Sequence, residues 1–147
     1  MILIDSNILV YSINISSPKH KKAQDFLKKN IGKFAVAHQN IFETLRVLTH
    51  PKFPNPMKTP DAIRALEPIL KAGDVISPDY KTHQIALELI KKYNLASDKV
   101  FDAYLVATCL SSSIDTVATD NVRDFKIFPQ IRVINPFEQA NPPLTFT

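Results

Sequence analysis

Short apolar runs alternate along the chain with longer segments in which apolar residues recur at helical spacing. Four short runs are predicted to be strands: residues 2–4, 34–37, 116–119 and 131–134. Strands buried on both faces of a parallel sheet are continuously apolar, as these runs largely are. Val75 and Ile76 form a shorter run that predicts a minor strand.

The segments between these runs predict helices. One begins around Ile8, and four others are predicted over residues 19–29, 39–49, 80–93 and 98–112. A further helix is predicted to start at Thr59-Pro60-Asp61, which offers an N-cap hydroxyl, a proline in the first turn and an early acid. The lysines of the segment 19–29 are predicted to be a solvated face, whereas the segment 98–112 is apolar on nearly all sides and should be central. The repeated order of strand and helix predicts an α/β domain with a mostly parallel sheet.

Length and charge limit the classes of protein that the chain can represent. At 147 residues we expect a single domain over residues 1–147. The net charge of +4 favours a polyanionic partner without distinguishing RNA from DNA. No apolar run approaches the ~20 residues that span a bilayer, and no basic leader precedes Asp5. We therefore expect a cytoplasmic protein with no membrane segment.

Four carboxylates border apolar sequence: Asp5, Glu43, Asp102 and Asp120. Asp5 and Asp120 directly follow predicted strands, and ligands bind at the carboxyl ends of strands in open parallel sheets. Asp102 lies in or near the first turn of the central helix, where the helix dipole favours a carboxylate. Because converging acids repel one another, we predict that a divalent cation compensates them.

Glu43 differs from the other three acids because it lies in the middle of a predicted helix. Asn40, Arg46 and His50 share one helical face with it. That face could be solvated, with an exposed Glu43–Arg46 ion pair of little energetic value, or it could face the other acids. We favour the second alternative, and Arg46 is then either a phosphate contact or the structural partner of Glu43.

The residue types present favour an oxygen-binding cation. The histidines show no close metal-ligand spacing and Cys109 stands alone, so a zinc site is not predicted. Carboxylates suit Mg²⁺ or Mn²⁺, which can activate water and stabilise an in-line displacement at phosphorus. With only two glycines, the chain has neither a Walker loop nor a dinucleotide-binding fingerprint.

Four blocks in order resemble the PIN-domain ribonucleases, and in particular the VapC toxins of bacterial toxin–antitoxin pairs. The blocks are Ile4-Asp5-Ser6-Asn7, Glu43-Thr44-Leu45-Arg46, Phe101-Asp102-Ala103 and the stretch from Thr119 to Phe125. Asn135-Pro136-Phe137 is similar to one VapC subgroup. The resemblance covers nearly the whole chain and implies a three-layer α/β/α sandwich, an Mg²⁺- or Mn²⁺-dependent endoribonuclease, a homodimer and a VapB-like antitoxin.

The same resemblance implies which residues form the site. The acids would be Asp5, Glu43, Asp102 and Asp120, and their polar support would be Ser6, Asn7 and Thr119. Members of the family differ in whether the position of Asp120 or that of Asp124 supplies the fourth carboxylate. We favour Asp120 because it is closer to the end of the predicted strand, while Asp124 could reach the site through a water molecule.

Our hypothesis is that Asp5 and Asp102 hold the main metal, while Glu43 and Asp120 complete the site or orient the attacking water. Two other functions remain open: a PIN-type nuclease of RNA maturation or acting on DNA, and a non-catalytic RNA-binding or receiver-like domain. A phosphoacceptor of the Asp-x-Asp type needs an acid at position 7, which is Asn7. A silent binding domain would be expected to have lost at least one acid.

Overall fold

The computed structural model describes residues 1–138, and the last nine residues of the predicted domain lie outside this range. The strands within it are β1 Ile2–Ile4, β2 Phe34–Ala37, β3 Asp74–Ile76, β4 Thr116–Ala118 and β5 Arg132–Ile134. The helices are α1 Ser6–Ile13, α2 His20–Lys29, α3 His38–Thr49, α4 Thr59–Ala72, α5 Thr82–Tyr93, α6 Lys99–Ser111 and α7 Val122–Phe125.

The five strands form one sheet in the order β3-β2-β1-β4-β5, and every neighbouring pair is parallel. Strand β1 is central: Leu3 is in register with Ala35 on one side and with Val117 on the other. The minor strand at Val75 and Ile76 is confirmed as part of β3, which forms one edge of the sheet. The carboxyl ends of all five strands therefore lie along the same edge.

Helices cover both faces of the sheet because successive strand residues point to opposite sides. In β1, Leu3 packs with the core under α5, α6 and α7, whereas Ile4 packs with the core under α1, α2 and α4. In β2, Ala35 packs in the same core as Leu3, and Phe34 packs in the same core as Ile4. The predicted three-layer α/β/α sandwich is confirmed, and α6 contributes more buried residues than any other described helix, as its apolar composition predicts.

Gly73 lies where α4 meets β3 and is required by close packing. A Cβ atom at this position would lie 2.8 Å from the carbonyl oxygen of Phe34 and closer still to its ring. Phe34 itself is fully buried in β2. Only glycine allows the end of α4 to approach the sheet this closely.

Two features near the carboxyl edge differ from the sequence prediction. Helix α1 begins at Ser6, two residues earlier than expected, because the Asp5 carboxylate accepts a hydrogen bond from the Ser6 amide at 2.8 Å. The short helix α7 was not predicted at all, since four residues are too few to show a helical period. Within residues 1–138, no helix has the length and apolarity needed to cross a membrane.

Candidate active site

Asp5 stands at the end of the central strand and is held by four hydrogen bonds. Its Oδ1 accepts from the Ser6 amide at 2.8 Å and from Asn40 Nδ2 at 3.4 Å. Its Oδ2 accepts from Thr119 Oγ1 at 2.7 Å and from Asn7 Nδ2 at 3.4 Å. With the side chain buried, these contacts fix the carboxylate before any ligand binds.

Burial and hydrogen bonding have opposite effects on the pKa of Asp5. Burial is the strongest influence and raises the pKa of Asp5, and the negative charge of Glu43 adds to that effect. The hydrogen bonds from Thr119 and Ser6 oppose it and lower the pKa. The net result is a pKa above the ordinary value, which indicates a carboxylate in need of a positive partner.

Glu43 turns toward Asp5 rather than toward solvent. Ser6 Oγ donates to its Oε2 at 3.0 Å, and Gln39 Nε2 donates to its Oε1 at 2.8 Å. Gln39 also donates to the carbonyl of Phe101 at 3.2 Å, so it joins α3 to α6 beside the acids. This inward orientation agrees with the alternative that we favoured from the sequence.

Arg46 does not pair with Glu43. The ion pairs within residues 1–138 are Lys19–Asp120 and Arg64–Asp61. Arg46 is exposed and lines an open cleft of about 740 Å³ together with Glu43 and Asp102. The structural ion pair considered for Arg46 is therefore absent from the described part of the chain.

The polar face predicted on α3 is divided in the structure. Asn40 is fully buried and bridges two layers, because its Oδ1 accepts from the Ala37 amide at 3.2 Å while its Nδ2 donates to Asp5. His50, at the other end of the same predicted face, is exposed. Asn40 therefore supports the site, whereas His50 belongs to the solvent-exposed surface.

Asp102 on α6 is half-buried, and its pKa is raised from 3.8 to about 7. Burial is the main cause, followed by the negative charges of Asp124, Asp5 and Glu43. Asp102 and the three acids that raise its pKa come from four separate segments of the chain. They form the group that we call the acidic site.

Asp120 has different surroundings from the acidic site. Its Oδ2 accepts hydrogen bonds from Lys19 Nζ at 2.5 Å and from Tyr11 Oη at 3.0 Å. Burial alone would raise the pKa of Asp120, but these two bonds and the charge of Lys19 outweigh it and lower the pKa. Asp124 on α7 thus lies near enough to Asp102 for its charge to raise that pKa, whereas Asp120 pairs with Lys19 instead.

The acidic site fits a hard cation by its chemistry, since all four donors are carboxylates. Their positions require some adjustment: no three His, Cys, Asp or Glu side chains in residues 1–138 are already arranged around a common point. Asp5 is fixed by its hydrogen bonds, whereas Asp102 is only half-buried.

Three contributors near the site were not predicted from the sequence: Lys19, Tyr11 and Gln39. For Gln39 a local signal exists, because it precedes Glu43 by four residues and such pairs meet on a helix. Lys19 and Tyr11 contact Asp120 across more than 100 residues of sequence. No local pattern reveals such a contact.

Comparison with known proteins identifies related chains. The family model described as PIN domain matches residues 2–129. The chain is 27% identical over 140 residues to the Ribonuclease VapC24 of Mycobacterium tuberculosis, and the alignment covers 92% of this chain and 97% of that protein.

Solved structures with the same fold include FitAcB from Neisseria gonorrhoeae, with a TM-score of 0.72 and 18% identity over 95% of this chain and 100% of the other. VapBC2 from Rickettsia felis, bound to a DNA fragment from its promoter, gives a TM-score of 0.67 and 21% identity over 92% of this chain and 98% of the other. At these identities the likeness establishes the fold.

Proposed function

The chain belongs to the PIN domain family, and from this membership we propose that it is an endoribonuclease acting as the toxin of a type II toxin–antitoxin pair. The observation that carries the proposal is the acidic site at the carboxyl edge of the sheet, where burial and the charges of Asp124, Asp5 and Glu43 raise the pKa of Asp102. The similarity to a protein named Ribonuclease VapC24 supports RNA as the substrate.

We propose Mg²⁺ or Mn²⁺ as the cofactor, held by Asp5, Asp102 and Asp124 with Glu43 completing the site. When bound, such an ion lowers the pKa of water and stabilises negative charge on phosphoryl oxygens. The raised pKa of Asp102 supports this assignment, since a carboxyl that is costly to ionise alone gains most from a cation.

The protein residues have separable roles in this proposal. Asp5 is the fixed member, because Thr119, Asn7, Asn40 and the Ser6 amide all donate to it. With a pKa of about 7, Asp102 carries its proton on a carboxyl oxygen for part of the time at neutral pH, and it must release that proton to hold a cation.

The open cleft beside Asp102 is the proposed entrance for RNA. Arg46 is exposed on its wall and makes no ion pair within residues 1–138, so its guanidinium can contact a substrate phosphate. The net charge of +4 assists the approach of a polyanion.

The proposed partners follow from the related structures. FitAcB and the VapBC2 complex resemble this chain in fold, which supports a VapB-like antitoxin as partner. A homodimer is proposed from the family resemblance alone. In this proposal the protein acts in the cytoplasm, where its RNA substrate is found.

The test is cleavage of an end-labelled structured RNA by the purified protein with Mg²⁺, with Mn²⁺ and with EDTA. We expect cleavage with either metal and none with EDTA. Asp102→Asn and Asp124→Asn should each reduce the rate at least about 100-fold, the scale on which one electrostatic group acts in catalysis. Glu88→Gln, which removes an exposed acid of α5, is the matched control and should leave the rate unchanged.

A DNA of the same sequence separates the candidate activities. Cleavage of DNA alone would contradict the ribonuclease proposal and favour a DNA-directed PIN nuclease. Cleavage that persists in EDTA, or equal rates for wild type and Asp102→Asn, would contradict the assigned metal site. Absence of cleavage from every RNA tested, with normal folding, would favour a binding domain.

A further inference from the structure

Asp120 lies in a cluster of contacts that the proposed reaction does not use. Lys19 Nζ is 2.5 Å from Asp120 Oδ2 and lies 5.2 Å and 5.3 Å from the ring centroids of Tyr11 and Phe137. The two rings pack edge to face at 5.3 Å. Cation–π contacts of this kind hold an ammonium group in place. The cluster therefore joins α1, the residue before α2, the segment after β4 and the segment after β5.

A chain of hydrogen bonds runs from this cluster to the acidic site. The Asp120 amide donates to Asn7 Oδ1 at 3.2 Å, and Asn7 Nδ2 donates to Thr119 Oγ1 at 3.1 Å and to Asp5 Oδ2 at 3.4 Å. Thr119 Oγ1 donates to the same Asp5 oxygen at 2.7 Å. The segment that Lys19 contacts through Asp120 thus supplies Thr119, one of the four groups that hold Asp5.

The Lys19–Asp120 pair is poorly placed to serve stability alone. The side chains are 39% and 19% exposed, and ion pairs this open to solvent typically contribute ~0–1 kcal/mol. Groups that orient a metal ligand have a larger effect on the metal, since their removal typically weakens its binding by ~10–100-fold. The position of the pair therefore matters more for the site than for the fold.

We propose that Lys19 and Asp120 are positioning residues: the ion pair fixes the segment from Thr119 to Asn121, and through Asn7 and Thr119 it holds Asp5 in the orientation needed for a cation. Phe137 and Tyr11 keep the lysine in place. The proposal rests on the proposed function, because the cation held by Asp5 is part of that function. It also gives a role to Asn135-Pro136-Phe137, which the acidic site leaves unexplained.

The experiment measures Mn²⁺ binding by isothermal titration calorimetry, without RNA, for wild type, Lys19→Met, Asp120→Asn and the double variant. We expect each single variant to bind about tenfold more weakly, at the lower end of the range for orienting groups. The double variant should be no weaker than either single one, because both break the same link. Lys22→Met, which removes an exposed lysine of α2, should bind as wild type does.

Lys19→Arg restores the charge, and we expect it to recover most of the lost affinity. In kinetic assays, Lys19→Met should lower kcat and leave KM for RNA nearly unchanged. A raised KM with normal kcat would instead identify Lys19 as a phosphate contact and overturn the proposal. Loss of Mn²⁺ binding in Asp120→Asn with normal binding in Lys19→Met would identify Asp120 as a ligand and overturn it as well.

A metal-free measurement separates this proposal from the proposed function. The side-chain amide signals of Asn7 in nitrogen-15 NMR spectra should shift in Lys19→Met and Asp120→Asn and stay in place in Lys22→Met. Unchanged Asn7 signals in all variants would refute the positional link, whatever the metal does. Shifted Asn7 signals in a wild-type protein that binds no Mn²⁺ would support the link and refute the metal-dependent function.

Discussion

Replacement of Asp102 by asparagine should stabilise the metal-free protein above neutral pH. The pKa of this carboxyl is raised from 3.8 to about 7, chiefly by burial and then by Asp124, Asp5 and Glu43. The pKa of Asp102 is higher in the folded than in the unfolded protein, so protonation of Asp102 stabilises the fold. This stabilisation is fully present below about pH 4 and is lost as the pH rises through about 7. Asparagine keeps the neutral state at every pH.

The size of the effect follows from the pKa difference. A change from 3.8 to about 7 corresponds to about 4 kcal/mol at most. Asp102 is only half-buried, so solvent screening reduces the expected gain in unfolding free energy to about 1–2 kcal/mol at about pH 8. At about pH 5 the gain should be smaller, since the wild-type carboxyl is then mostly protonated in the folded state.

Urea unfolding in EDTA at the two pH values measures this difference, with Glu88→Gln as the control for loss of one exposed charge. Addition of Mg²⁺ should then stabilise wild type and leave Asp102→Asn unchanged, because only a form that binds the ion gains stability from it. An Asp102→Asn protein less stable than wild type at about pH 8, or a gain independent of pH, would refute the electrostatic reasoning.

Three further predictions concern single residues. Thr119→Val removes a hydrogen bond to the buried Asp5 carboxylate, so it should raise the pKa of Asp5 further, as carboxyl NMR titration would show. It should also lower the unfolding free energy in urea by about 1.5–3 kcal/mol at about pH 8. Gly73→Ala should cost about 1–3 kcal/mol in urea unfolding because its Cβ overlaps Phe34. Cys109, buried and with its pKa raised to about 12 mainly by burial, should resist alkylation at about pH 8 until the protein unfolds, as mass spectrometry would show.

Most of the fold was predictable because two of its inner strands, β1 and β2, are short and wholly apolar. Phe34–Ala37 has no polar residue to mark a solvated face, so a strand buried between two layers was the natural interpretation. Helix α7 could not be predicted, because four residues carry no periodic signal. That omission matters, since α7 carries Asp124 into the acidic site.

The candidate site was predictable where an acid follows a strand or begins a helix, as Asp5 and Asp102 do. The choice between Asp120 and Asp124 was not, because distance from the strand end does not specify the direction of a side chain. Lys19 was assigned to a solvated face, yet it pairs with Asp120 from 101 residues away. Such pairing depends on tertiary structure, and spacing along one helix contains no information about it.

The position of β1 at the centre of the sheet determines when the acidic site can form during synthesis. Asp5 is made well before Thr119, which donates to it and follows it by 114 residues. A growing chain that ends before β4 holds Asp5, Glu43 and Asp102 but lacks Thr119 and Asp124. Closing so long a loop costs entropy that only the docked strands offset. A truncated product of the chain therefore contains the acids in an incomplete arrangement, and an assembled site indicates that β4 has joined the sheet.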